Sequence, residues 1–264
     1  MMLKAFFIVI TALYLVATLF YVLRALVGKA WLSALGLRIM IVGAFLQTGT
    51  LAWHVLASRH AFLPDYNFYF QSAALLLAVI FIILCFTKNF YSSGLLFVPI
   101  INLLCIFSFT HRLPTQETLS NSATGFLVIH ISCIFLTLCL FCVSMMTAIM
   151  FLLGESQIKH KKFEGIIARF PPLSTLESVH TKSLLVGLSL FTLVVLSGSL
   201  FARSTTGHFF YSHSVKQWLS VSCWVFFAFI LSLRIKKIGR GHRGIVLSLL
   251  GFIGMIFLFF VGLA

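Results

Sequence analysis

Acidic side chains are nearly absent from this chain: five Asp and Glu among 264 residues, with 9% charged residues in all. Soluble domains carry about 25% charged residues, so the composition excludes an ordinary soluble fold. The five acids, Asp65, Glu117, Glu155, Glu164 and Glu177, fall between the long apolar runs rather than within them. Ion-coupled carriers usually need a carboxylate at membrane depth, and its lack counts against a transporter. Metal-ligand clusters are missing too. No HxxxH and no Cys/His grouping supplies the three or four ligands that zinc takes. Nor is there a disulfide framework: Cys85, Cys105, Cys133, Cys139, Cys142 and Cys223 all sit in apolar runs, where cysteine acts as a small hydrophobe. Cys139 and Cys142 spell CxxC, but inside a span the pair reads as packing rather than redox chemistry. Period-2 alternation is absent as well, which excludes a transmembrane barrel.

What is present is apolar length. Hydrophobic residues make up 61% of the chain and mean hydropathy is +1.10. A spanning helix needs about 20 mostly apolar residues. Eight stretches qualify, at about 5–27, 32–56, 68–87, 91–109, 124–153, 184–201, 218–233 and 244–262. Backbone polar groups cannot stay unpaired in lipid, so each must be a helix. The fold class is therefore all-α: a polytopic membrane helix bundle of eight spans, one integral membrane domain over 1–264. The first run is too long for a signal h-region and lacks a small-residue cleavage pattern, so it is expected to stay as a span.

Charge sets the orientation. Connections 1–2, 3–4, 5–6 and 7–8 hold Arg24, Lys29, Lys88, Lys159, Lys161, Lys162, Arg169, Lys182, Arg234, Lys236, Lys237, Arg240 and Arg243. The opposite side holds Lys4, Arg59, Arg112, Arg203 and Lys216. The positive-inside rule puts both termini outside and connections 5–6 and 7–8 in the cytoplasm. The net charge of +14 is thus a topology signal with some attraction to anionic lipid, and no nucleic-acid partner is expected. In connection 5–6, Phe163, Ile166, Ile167 and Phe170 recur at helical spacing against a basic face. Residues 155–170 are expected to form an amphipathic helix on the inner surface, stopped by Pro171-Pro172, with partner docking as the alternative.

The spans carry few titratable groups, which gives those few weight. His130 lies early in span 5, and at helical spacing its face continues through Cys133, Thr137, Ser144 and Thr147. Gln47 and Thr50 precede His54 on one face of span 2. Both histidines reach similar depths toward the outside. Three readings compete: hydrogen bonds to a neighbouring helix, a transport or proton path, and axial ligation of haem by neutral imidazole in an apolar pocket. Two ligands on different helices suit a bis-His site. Arg38, on nearly the opposite face of span 2 from His54, is expected to snorkel inward. It is a weaker candidate for contact with an acidic group, as are His208 and His213 in connection 6–7. His60, His111, His160 and His242 fall at loops or membrane edges, and His180 is expected to be interfacial.

LESVHTKSLLVGLSLFTLVVLSGSLFA, residues 176–202, resembles a segment of the cytochrome c assembly family (CcsA/ResC and CcmC relatives) that reads roughly LDxLxYRxxxxGxxLLTxGxxxGxxWA. Leu176, Glu177, Lys182 in place of Arg, Gly187, Leu190, Thr192, Gly198 and Ala202 carry the match. PPLSTLES before it and RGHRG (240–244) after it fit as well. The length, eight spans and early His54 resemble most the YpjD/HemX-type branch. The resemblance implies haem handling at the outer leaflet of a bacterial inner membrane, with haem b as candidate cofactor. It also implies an external ligand role for His130 and cytochrome c maturation components as partners. The tryptophan-rich external motif of the haem-delivery members would fall near 206–216, where this chain has TGHFFYSHSVK, and Ser232 stands at the position of a histidine in those members.

The expected function is non-enzymatic: haem binding by His130 and His54 in an accessory factor of cytochrome c assembly. The alternative is a cofactor-free regulatory or structural partner, HemX-like and linked to tetrapyrrole supply, acting through connection 155–170.

Overall fold

The structure is a computed structural model describing residues 2–57, 66–110, 121–161, 169–209, 215–236 and 241–263. Among these residues it is all-helical. The helices are α1 (Met2–Val27), α2 (Ala30–Ala57), α3 (Tyr66–Lys88), α4 (Gly94–Thr110), α5 (Asn121–Lys159), α6 (Leu173–Thr206), α7 (Val215–Ile235) and α8 (His242–Leu263), with a 3-10 turn at Phe90–Ser93 before α4. Seven are long and apolar enough to cross a membrane, and the His242–Phe257 part of α8 is a shorter apolar helix. Large apolar side chains also face outward, among them Phe45, Trp53 and Phe86. Such faces suit lipid rather than water.

Several helices run beyond the apolar windows. Helix α6 begins at Leu173, well before the expected span start, and α5 continues to Lys159. Glu155 and Glu177, assigned to loops from sequence, therefore lie on helices. Glu155 pairs with Lys159 one turn on, at 2.9 Å. Hydropathy marks where a helix meets lipid, not where its hydrogen-bond ladder stops. The expected amphipathic helix at 155–170 is affected as well: residues 155–159 belong to α5, a turn follows at His160 and Lys161, and 162–168 lie outside the described residues.

The chain divides into two compact units, Met1–Thr115 with Leu153–Thr175, and Gln116–Leu152 with Leu176–Ala264. In the first, tyrosine rings pack against glycines. A Cβ at Gly43 would stand 2.7 Å from the Tyr14 ring, and one at Gly94 would overlap the Tyr21 ring. The polar ends of this core are joined in a chain. Tyr14 Oη donates to Gln47 Oε1 at 2.8 Å, Gln47 Nε2 to Gln71 Oε1 at 2.7 Å, and Gln71 Nε2 to Ser108 Oγ at 2.8 Å. That sequence links α1, α2, α3 and α4. Interhelical hydrogen bonds inside membranes contribute about 0.6 kcal/mol each on average, so the chain fixes register more than it supplies bulk stability.

The second unit is built on aromatic packing. Phe141, Phe227 and Phe252, from α5, α7 and α8, stack with centroids 4.6, 5.4 and 5.7 Å apart. Gly187 of α6 makes room for them, since a Cβ there would stand 2.6 Å from the Phe141 ring. Offset and tilted aromatic pairs add about 0.5–1.5 kcal/mol each beyond area burial.

Candidate functional site

The face of α5 expected to point inward does so: Cys133, Thr137, Ser144 and Thr147 are all buried. His130, one turn before Cys133, is half-buried. Its Nδ1 lies 2.9 Å from Val194 O and 3.3 Å from Ser197 Oγ, both on α6. A carbonyl only accepts, so the proton is on Nδ1 and Nε2 carries the lone pair. No hydrogen bond engages Nε2 among the described residues. A backbone carbonyl that accepts from one ring nitrogen in this way fixes the tautomer of a metal-binding histidine and raises the basicity of the other nitrogen.

The ring is held at that spot because α6 has no side chain there. A Cβ at Gly198 would stand 2.8 Å from His130 Cε1. Two of the glycines that carry the family resemblance, Gly187 and Gly198, are thus both positions where α6 accepts a ring from α5.

His130 also lines an open cavity of about 450 Å³ in the second unit. Small-molecule sites typically measure about 300–1,000 Å³. Its walls come from α6 (Val194, Val195, Gly198, Phe201, Ala202, Thr205) and α7 (Lys216, Gln217, Ser220, Val221). The lining is apolar around the imidazole, with one exposed cation, Lys216, near the start of α7. An imidazole with a free Nε2, an apolar wall and a cation able to meet a carboxylate fit the chemistry of haem, whose iron takes nitrogen and whose edge carries two propionates. Lys216 was read from sequence only as an orientation charge. Its place in the cavity depends on the α6–α7 pairing, which leaves no local signal.

Other expected residues fall elsewhere. His54, half-buried, stacks on Phe68 with centroids 5.6 Å apart, and Gln47 and Thr50 of its face are buried. It belongs to the first unit and His130 to the second. Arg38 is exposed on α2. His208 is exposed just beyond α6, next to Phe209, on whose ring Arg203 sits at 4.4 Å. His213, His60 and His111 lie outside the described residues. Among the described residues no three His, Cys, Asp or Glu side chains gather to hold a metal ion.

His180 is a correction. Expected at the interface, it is fully buried within α6. Its Nδ1 donates to Ser144 O at 2.9 Å, its Nε2 faces Ser248 Oγ at 3.3 Å, and its ring meets Phe252 edge-on. Nearby, the buried Arg234 donates to Thr181 Oγ1 at 2.7 Å, and Glu177 Oε1 accepts from Gly241 N at 3.0 Å. The early start of α6 brings these groups into the bundle, and no hydropathy window foresees it.

A profile described as Cytochrome C assembly protein matches residues 43–263, most of the chain. The chain belongs to the cytochrome c assembly protein family. No curated protein and no solved structure gives a match. Membership places this cytochrome c assembly protein in cytochrome c maturation and agrees with its multi-pass apolar helices. The match contains every residue of the His130 cavity, whereas all of α1 and the first part of α2 precede it.

Proposed function

We propose that this assembly protein binds haem, with His130 as an axial ligand through Nε2, and serves as an accessory factor in cytochrome c maturation. The observation that carries the reading is the Nδ1–H···O=C bond from His130 to Val194 beside an apolar cavity. It prepares one nitrogen for a metal and leaves the other structural. Lys216 would hold a propionate, and Gly198 keeps the ring in place. His54, stacked on Phe68 in the first unit, is the other candidate haem ligand. When bound, haem b would supply an iron centre that takes an imidazole nitrogen; the protein holds it and catalyses nothing itself. In this reading all eight helices span a bacterial inner membrane with both termini outside. His130 then lies toward the outer leaflet, where apocytochromes are met.

The test is an absorption spectrum of the detergent-purified chain, oxidised and then reduced, for wild type and His130→Ala. Sharp low-spin α and β bands lost in the variant support ligation. A wild-type chain that carries no haem after haem-replete expression, and takes up none on titration, overturns it.

A further inference from the structure

At one end of the first unit the described residues gather cations without a described anion beside them. Arg24, in the last turn of α1, is 8% exposed. Its Nη1 donates to Ser33 Oγ, its Nη2 donates to Ser92 Oγ at 2.9 Å, and its Nε has no partner. Arg169 donates from Nη1 to Gly28 O at 2.7 Å, and Gly28 N donates to Arg24 O at 2.9 Å, so the two arginines meet the same helix end through one residue. Gly28 makes this approach feasible: its φ is +80°, and a Cβ there would stand 3.2 Å from Arg169 Nη2. Lys29 follows, exposed. Among the described residues no carboxylate meets either arginine. Two more buried polar atoms in the same neighbourhood, Tyr21 Oη and Ser93 Oγ, also lack partners.

This arrangement costs energy twice: Arg24 is taken out of water, and a second guanidinium is set beside it. The neutral acceptors, two serine hydroxyls and backbone carbonyls, satisfy hydrogen bonds but neutralise no charge. A carboxylate from the chain would be the ordinary remedy, and none of the described residues supplies one. An oxyanion with several acceptor oxygens would answer both arginines, and phosphate matches the guanidinium fork. The position favours the same class, because the end of a span is where lipid phosphates lie.

We propose that Arg24 and Arg169 form a phosphate-binding site at the end of α1, seating the phosphate ester of a lipid headgroup or a soluble phosphate. The site is separate from the His130 cavity and uses no residue of it. Its occupant neutralises the pair and ties the segment before α6 to the α1–α2 connection through Arg169.

The test measures thermal unfolding and lipid retention by native mass spectrometry on the full chain in neutral detergent. The probes are phosphatidylglycerol, diacylglycerol of the same acyl chains, and inorganic phosphate. The expected result is a rise in Tm and retained lipid with phosphatidylglycerol but not diacylglycerol. A Tm rise with inorganic phosphate assigns the site to a soluble source instead. Arg169→Gln, an exposed position whose change should leave the fold intact, is expected to weaken binding about tenfold or more, as loss of a charge-assisted bond does. Arg24→Gln should do the same if it folds. Binding as tight in Arg169→Gln as in wild type overturns the proposal. So does the absence of any response to both phosphate probes, whatever Arg169→Gln does to Tm.

Discussion

Gly198 and His130 occupy each other's space: a methyl at 198 would stand 2.8 Å from the imidazole Cε1. The ring is the free end of a side chain, so Gly198→Ala should fold. The ring must swing, and the hydrogen bond to Val194 O goes with it. In an unobstructed helix Gly→Ala stabilises by about 0.8–1 kcal/mol. The expected outcome here is little or no gain in Tm together with weakened low-spin haem bands. A normal spectrum with the full stability gain would show that the contact does not position His130.

His54 and His130 should differ in their spectra. His130→Ala is expected to lose bound haem. His54→Ala tests the candidate of the first unit by itself, and changed low-spin bands in that variant would make His54 a ligand too. Phe68→Ala, which removes the ring stacked on His54, should give a weaker version of the His54 phenotype. Identical low-spin spectra in wild type and His54→Ala would rule out His54 as the second ligand.

His180→Ala tests the buried histidine as structure. The change removes the imidazole from Ser144 O and Ser248 Oγ, which keep their bonds to Thr147 Oγ1 and Gly244 O, and opens a cavity beside Phe252. Losses of this type amount to about 2–4 kcal/mol. Unfolding in detergent should show that loss while haem remaining on the folded fraction keeps the wild-type spectrum. A changed spectrum at full stability would move His180 into the ligand set.

The polar chain of the first unit can be measured by a double-mutant cycle. Tyr14→Phe and Gln47→Leu each remove one end of the 2.8 Å bond. Their coupling is expected to be about 0.6 kcal/mol, the average found for such bonds in membranes. Coupling near zero would mean that the bond is formed but not energetically used.

Charge reversal at Lys159, Lys161 and Lys162 should leave the haem spectrum unchanged, as these residues are remote in sequence from the His130 face. A lost spectrum, with helicity retained by circular dichroism, would favour a role for this connection in haem uptake.

The class of fold was legible because lipid leaves the backbone one answer: an apolar run of span length must close its own hydrogen bonds as a helix. The inward face of α5 was legible for a related reason, since Cys133, Thr137, Ser144 and Thr147 repeat at the period of a helix. His130 stood out because imidazole is rare at such depth, and Gly187 and Gly198 belonged to a recognisable pattern whose purpose the sequence did not reveal. Only the tertiary structure supplied it: both glycines take a ring from α5. It also moved His180 from the interface into the core, put Lys216 on the wall of the His130 cavity, and set Arg169 beside Arg24 across 145 positions of chain. Periodicity and hydropathy report on a side chain's own helix. Which atom of another helix meets it is decided by packing, and packing fixes both the free nitrogen of His130 and the arginines that no described carboxylate meets.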